Sequence, residues 1–147
     1  MTQQRLVFEQ ELGVDADRVW DAINDHEGMS RWLDARVSVL ARREGTGVGT
    51  VRRIRARGIV IDEEVVYCDA PGDGRPGRLV YRIVRGAPFR FHRGEMLVER
   101  VAAGRSRLTW DIVLASGIPG VARLGALALR PALRDGLRKL DRLLCAA

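Results

Sequence analysis

Two titratable side chains in this sequence fall where alternation turns them toward an apolar interior: Glu63 and His92. In the run Ile59 to Cys68, the residues Ile61, Glu63, Val65 and Tyr67 share one face of a two-residue repeat. In Phe91 to Val101, His92, Gly94, Met96 and Val98 do the same. A carboxylate among such neighbours has its pKa raised by burial and can act as a general base. An imidazole there can give or take a proton near neutral pH. Each also has a plain structural use, Glu63 in an ion pair and His92 as a core side chain satisfied by one hydrogen bond.

Arg52 is the natural partner of Glu63. Arg57-Gly58 reads as a two-residue hairpin turn, which sets Arg52 opposite Glu63 on the inner face and Arg53 opposite Asp62 on the outer one. Opposite-charge pairs of this kind contribute roughly 0.2–1 kcal/mol each. The turn asks Arg57 for a positive φ, which is costly without glycine, and a longer loop would shift the register and dissolve both pairs. Tyr67, Tyr81 and Trp110 bring aromatic area with a polar tip, suited to shaping a pocket and holding a carbonyl. Met96 and Leu127 complete the expected ligand-binding set with Arg52. His26, in the polar turn Asn24 to Gly28, could line a cavity mouth but reads rather as a surface-loop residue.

Other chemistries find no support. Gly45, Gly47 and Gly49 imitate a dinucleotide loop but lie between two strands and open no helix, so they suit a hairpin turn. No two histidines or cysteines have metal-ligand spacing, so neither a metal nor a cofactor is expected. Arg53, Arg55 and Arg57 gather on an outer face without interleaved aromatics, which reads as solvated or salt-bridged rather than as a nucleic-acid surface.

These residues need a scaffold. Leu6, Phe8 and Leu12 mark a half-buried first strand, and Asp15 caps a short helix that buries Val19, Trp20 and Ile23. One more turn over Met29 to Leu33 follows. Six strands come next: around Val37 and Val39, then Val51 to Arg57, Ile59 to Cys68, Arg78 to Val84, Phe91 to Val101 and Arg105 to Leu114. Short links make them antiparallel neighbours. From Pro119 to Leu144 the apolar residues change to a helical period, with Leu133, Leu137, Leu140 and Leu144 on one face and Leu124, Leu127 and Ala128 continuing a similar stripe. Pro131 should kink this helix or open a second one. Strands with segregated helices make an α+β architecture, a curved sheet holding one long helix, with function in the space between.

The totals agree with one domain spanning residues 1–147, of ordinary hydrophobic (46%) and charged (30%) content. The net charge of +6 is almost all arginine, since Lys139 is the only lysine. The arginines are spread along the chain, which favours a solvated surface over a dedicated acidic partner. No run approaches the ~18 apolar residues of a membrane span. Cys68 and Cys145, far apart, suit a reducing cytoplasm. A homodimer is left open.

Several stretches, in order, resemble one superfamily. They are Val14-Asp15-Ala16-Asp17-Arg18-Val19-Trp20, then Trp32, then Gly47-Val48-Gly49-Thr50-Val51-Arg52. Glu63-Glu64-Val65-Val66 leading to Asp69-Ala70-Pro71, Leu79-Val80-Tyr81-Arg82-Ile83, Arg93-Gly94-Glu95 and Leu108-Thr109-Trp110 follow. Together they are similar to the SRPBCC (START-like, polyketide cyclase/dehydrase) superfamily over nearly the whole chain. The resemblance implies a helix-grip fold, a curved seven-stranded antiparallel sheet wrapped around a long C-terminal helix with two short helices after the first strand. It also implies a deep, largely apolar cavity. It supplies no shared catalytic set, and His92 stands where members more often have an aromatic such as Tyr.

The expected function is therefore the binding of a small hydrophobic or polyketide-like molecule between sheet and helix. The alternative is a cyclase or dehydratase acting on a bound poly-carbonyl substrate, with Glu63 or His92 moving a proton and Tyr81 and Arg52 polarising an oxygen. A weaker alternative is anionic-surface binding, to nucleic acid or lipid, through the outer arginines.

Overall fold

The computed structural model describes residues 2–86 and 88–146. Seven strands, β1 (Thr2–Leu12), β2 (Arg36–Ala41), β3 (Val51–Ala56), β4 (Ile59–Asp69), β5 (Gly77–Arg85), β6 (Phe91–Ala102) and β7 (Arg105–Ser116), form one antiparallel sheet in the order β1-β7-β6-β5-β4-β3-β2. Helix α1 (Ala16–Asn24) and a 3₁₀ turn (Glu27–Arg31) carry the chain from one edge strand, β1, to the other, β2. Helix α2 (Val121–Ala146) closes the chain. This is the α+β helix-grip arrangement expected from the sequence.

Alternation sorts the sheet into two faces. Leu79 and Tyr81 of β5, Met96 and Val98 of β6, and Leu108, Trp110, Ile112 and Leu114 of β7 point inward and are buried. Against them pack Val19, Trp20 and Ile23 of α1, Met29 and Trp32, and Leu133, Leu137 and Leu140 of α2. The outer face is tied by arginine–carboxylate pairs, among them Arg5–Asp111, Arg53–Asp62 and Arg78–Glu95. That is the salt-bridged surface its arginines implied, each exposed pair contributing little.

Local chemistry explains the joints. Asp15 precedes α1 but makes no side-chain cap; its Oδ1 instead accepts from the Gly104 N–H at 2.9 Å, pinning the β6–β7 turn to the start of the helix. Helix α2 runs through Pro131 as one helix, so no second helix opens there. Gly136 lets α2 approach closely: a Cβ there would lie 2.8 Å from Leu33 Cδ2.

The buried face of α2 corrects the sequence reading in its first half. Counting back from Leu133 by four and then by three and four residues gives Leu129, Ala126 and Ala122, and these are the residues turned inward. Leu124 and Leu127 are out of phase with that stripe and face solvent, Leu127 at 56% exposure.

Candidate functional site

Between the inner face and α2 lies a cavity of about 250 Å³. One wall is apolar strand surface: Ile54, Ile61, Ile83, Ile112 and Leu114. The opposite wall is the first half of α2, which presents Gly125, Ala128, Leu129 and Ala132. Small residues at three- and four-residue steps are why space remains, because larger side chains at these positions would fill the grip. Phe89 closes the side, so near to α2 that a Cβ on Gly125 would lie 2.8 Å from its ring. Exposed Asp34, Arg57 and Ile59 stand at the mouth. A second, wider depression is an open groove bordered by Arg36, Arg55, Arg138, Lys139 and Arg142, without the enclosure that a small apolar ligand needs.

The inner end of the cavity is polar and buried. The β3–β4 hairpin has the expected register, Arg52 opposite Glu63 and Arg53 opposite Asp62, and Arg57 takes the positive φ it demands, 50°. Arg52 is 1% exposed and Glu63 3%. The guanidinium donates from Nε to Glu63 Oε2 at 2.9 Å, and its Nη2 lies 2.8 Å from the same oxygen. Its Nη1 donates to His26 Nδ1 at 3.0 Å and points at Met29 Sδ at 3.1 Å. Its plane lies over the Tyr81 ring, 4.7 Å from the centroid. Tyr81 in turn accepts from Trp110 Nε1 at 2.8 Å, and its ring sits 5.7 Å from that of His92.

These surroundings set the protonation states. Burial, reinforced by Arg52, depresses His26 to about 4, which leaves Nδ1 free to accept from the guanidinium. Burial also lowers His92, outweighing the pull of Glu63, so both histidines are neutral at pH 7. Burial and then Glu63 push the Tyr81 hydroxyl far up, and it keeps its proton. His92 is 8% exposed, and its Nδ1 has no hydrogen-bond partner among the described residues.

Of the residues singled out in the sequence, Arg52, Glu63, Tyr81, His92 and Trp110 meet at this end of the cavity. Three do not. Tyr67 lies outside, 43% exposed and stacked with Arg78, because a bulge between Val65 and Tyr67 inverts the alternation of β4. Met96 is fully buried between Leu79 and Trp110 in the sheet and lies in the core, not in the cavity wall. Leu127 faces solvent, as described above. His26, read as a loop residue, is instead buried behind Arg52. Met29 and the small residues of α2 were not read as part of a site. The 125–128–132 spacing of Gly and Ala was the available signal for the cavity wall.

A family model described as polyketide cyclase / dehydrase and lipid transport matches residues 3–144. Among solved structures, a START superfamily protein from Mycobacterium smegmatis superposes with a TM-score of 0.76 at 15% identity, covering 95% of this chain and 96% of that one. The Bacillus cereus protein XoxI gives 0.73 at 17%, covering 96% and 95%. A Thermus thermophilus protein of known crystal structure gives 0.75 at 20%, covering 97% and 98%. At these identities the likeness is one of fold. A search of curated proteins finds no match.

Proposed function

This chain belongs to the polyketide cyclase / dehydrase and lipid transport family, and from that premise we propose that it binds one small, largely apolar molecule in the cavity between the sheet and α2. The observation that carries this is the cavity itself, about 250 Å³ of space walled by isoleucines and by the small residues of α2, with its few polar groups gathered at the buried end. An apolar cavity of about 150 Å³ already accommodates a benzene ring, so this one has room for one or two rings or a short chain. Desolvation of the ligand is the driving term, at about 25 cal/mol per Å² of apolar surface removed from water.

Proton transfer on the bound molecule is a second reading. The grouping of Glu63, Tyr81 and His92 at one end of the cavity favours it, as does the dehydrase named in the family's description.

The test is uptake of a neutral apolar dye such as N-phenylnaphthylamine, followed by native mass spectrometry of gently purified protein. The reading expects saturable dye fluorescence at one site per chain, quenching of Trp110, and loss of uptake in Ile83→Trp, which fills the cavity. No uptake by the folded wild-type chain, or undiminished uptake by the filled variant, contradicts it.

A further inference from the structure

The charge balance at the inner end of the cavity says more about the ligand than its apolar walls do. Among the described residues only one cation and one anion lie there, Arg52 and Glu63, and they cancel at 2.8 Å. All three nitrogens of Arg52 already have partners, in Glu63, His26 and Met29, and one face of its plane is covered by Tyr81. A carboxylate or phosphate brought to this end would sit beside Glu63 with no unengaged cation to receive it. An ammonium would face Arg52 in the same way. Burying either charge without a partner costs several kcal/mol. The other charged side chains lining the cavity among the described residues, Asp34 and Arg57, stand at the exposed mouth and pair with each other at 3.7 Å.

Besides Glu63 Oε1, which accepts from no group among the described residues, two neutral groups at this end retain hydrogen-bonding capacity. Tyr81 accepts from Trp110, whose indole can only donate, so the phenol proton is still available. The imidazole of His92 lines the cavity, and its Nδ1 is buried without a partner among the described residues. A buried polar atom left unpaired costs about 1–3 kcal/mol; Nδ1 has less than 1 Å² of accessible surface, so a ligand hydroxyl relieves it through a turn of the ring toward the cavity. A hydroxyl group both donates and accepts, and it carries no charge.

Resting on the function proposed above, we propose that the natural ligand class is a neutral one- or two-ring molecule bearing a hydroxyl, and that His92 reads that hydroxyl. Arg52 and Glu63 then act as a mutually neutralising pair that keeps the cavity end without net charge and disfavours acids and amines.

A matched series of naphthalenes tests this by calorimetric titration at pH 7. For the wild-type chain, 2-naphthol is expected to bind at least about tenfold more tightly than naphthalene or 2-methoxynaphthalene, the return of one buried hydrogen bond. 2-Naphthoate is expected to show no binding. His92→Phe, which keeps the ring shape, should bring 2-naphthol down to the affinity of naphthalene while leaving naphthalene bound. The methyl ether tests the donor in the wild-type protein alone, so the result stands even if the variant folds poorly. Equal affinity of the phenol and its ether, binding of the naphthoate at the level of the naphthol, or a preference that survives His92→Phe overturns the proposal. Dye uptake in the filled-cavity test with no binding of 2-naphthol overturns this inference alone. Failure of both overturns the binding function as well.

Discussion

Arg52 is a guanidinium shut away from water, and at the scale of single residues the energetics of the site turn on it. Removing one member of such a pair leaves an uncompensated buried charge and costs about 3–5 kcal/mol. Glu63 balances the charge, but Arg52 also needs an acceptor for Nη1, and His26 supplies it only while its Nδ1 is unprotonated. The linkage has a definite sign. The folded value of about 4 lies below the ordinary 6.5, so the unfolded chain binds the extra proton between them. The stabilisation is complete above pH 6.5 and is lost as pH falls toward 4, by up to about 1.4 kcal/mol per unit. His92, also lowered by burial, adds a slope of the same sign. Asp62, held down by its hydrogen bonds from Arg53, loses its contribution in a separate and more acid window. Urea unfolding between pH 4 and 7 should therefore show stability falling with acidity. His26→Asn, which keeps an acceptor near the same place, should flatten part of that fall. An unchanged slope in the variant would remove His26 from this role. None of this was readable in the local sequence, where His26 sits among Asn24, Asp25 and Glu27. What buries it is β3 folding beneath it from 26 residues away.

At the scale of elements, sequence reasoning succeeded where a period persisted and failed where it slipped. The β3–β4 hairpin, with its Arg52–Glu63 and Arg53–Asp62 pairings, was legible because two turn residues and an alternating pattern determine the register. The bulge in β4 was not, because Tyr67 is as apolar as the residue expected on the inside. In α2 the correct stripe was present in phase, through Ala122, Ala126 and Leu129, but the larger Leu124 and Leu127 drew attention from it. Gly94 is a further case. A glycine within β6 reads as neutral, yet it sits opposite Tyr81, and a Cβ there would lie 2.1 Å from Tyr81 Cζ. Gly94→Ala should cost about 1–3 kcal/mol by urea titration, since the ring must move. It should also shift the emission of Trp110, whose hydrogen bond to Tyr81 would be displaced. A stability change below about 0.5 kcal/mol with unaltered emission would mean that the ring is not held where described.

At the scale of the whole molecule, the strand count, the antiparallel links and the terminal helix followed from pattern. The closing of β1 onto β7 came only from the resemblance, since alternation cannot tell which distant strands pair. The polar residues of the site were mostly legible because alternation faces them inward. The cavity was not, because empty space depends on the small residues of a helix viewed against a sheet in three dimensions. Isoleucine makes this space directly measurable. Of the seven isoleucines, Ile54, Ile59, Ile61, Ile83 and Ile112 line the cavity, whereas Ile23 is buried behind it and Ile118 is exposed away from it. With isoleucine methyl groups labelled, an NMR titration with 2-naphthol should shift and broaden the five cavity methyls together and leave those of Ile23 and Ile118 in place. Shifts confined to Ile118, or absent from Ile83 and Ile112 at saturation, would contradict a ligand held between the sheet and α2.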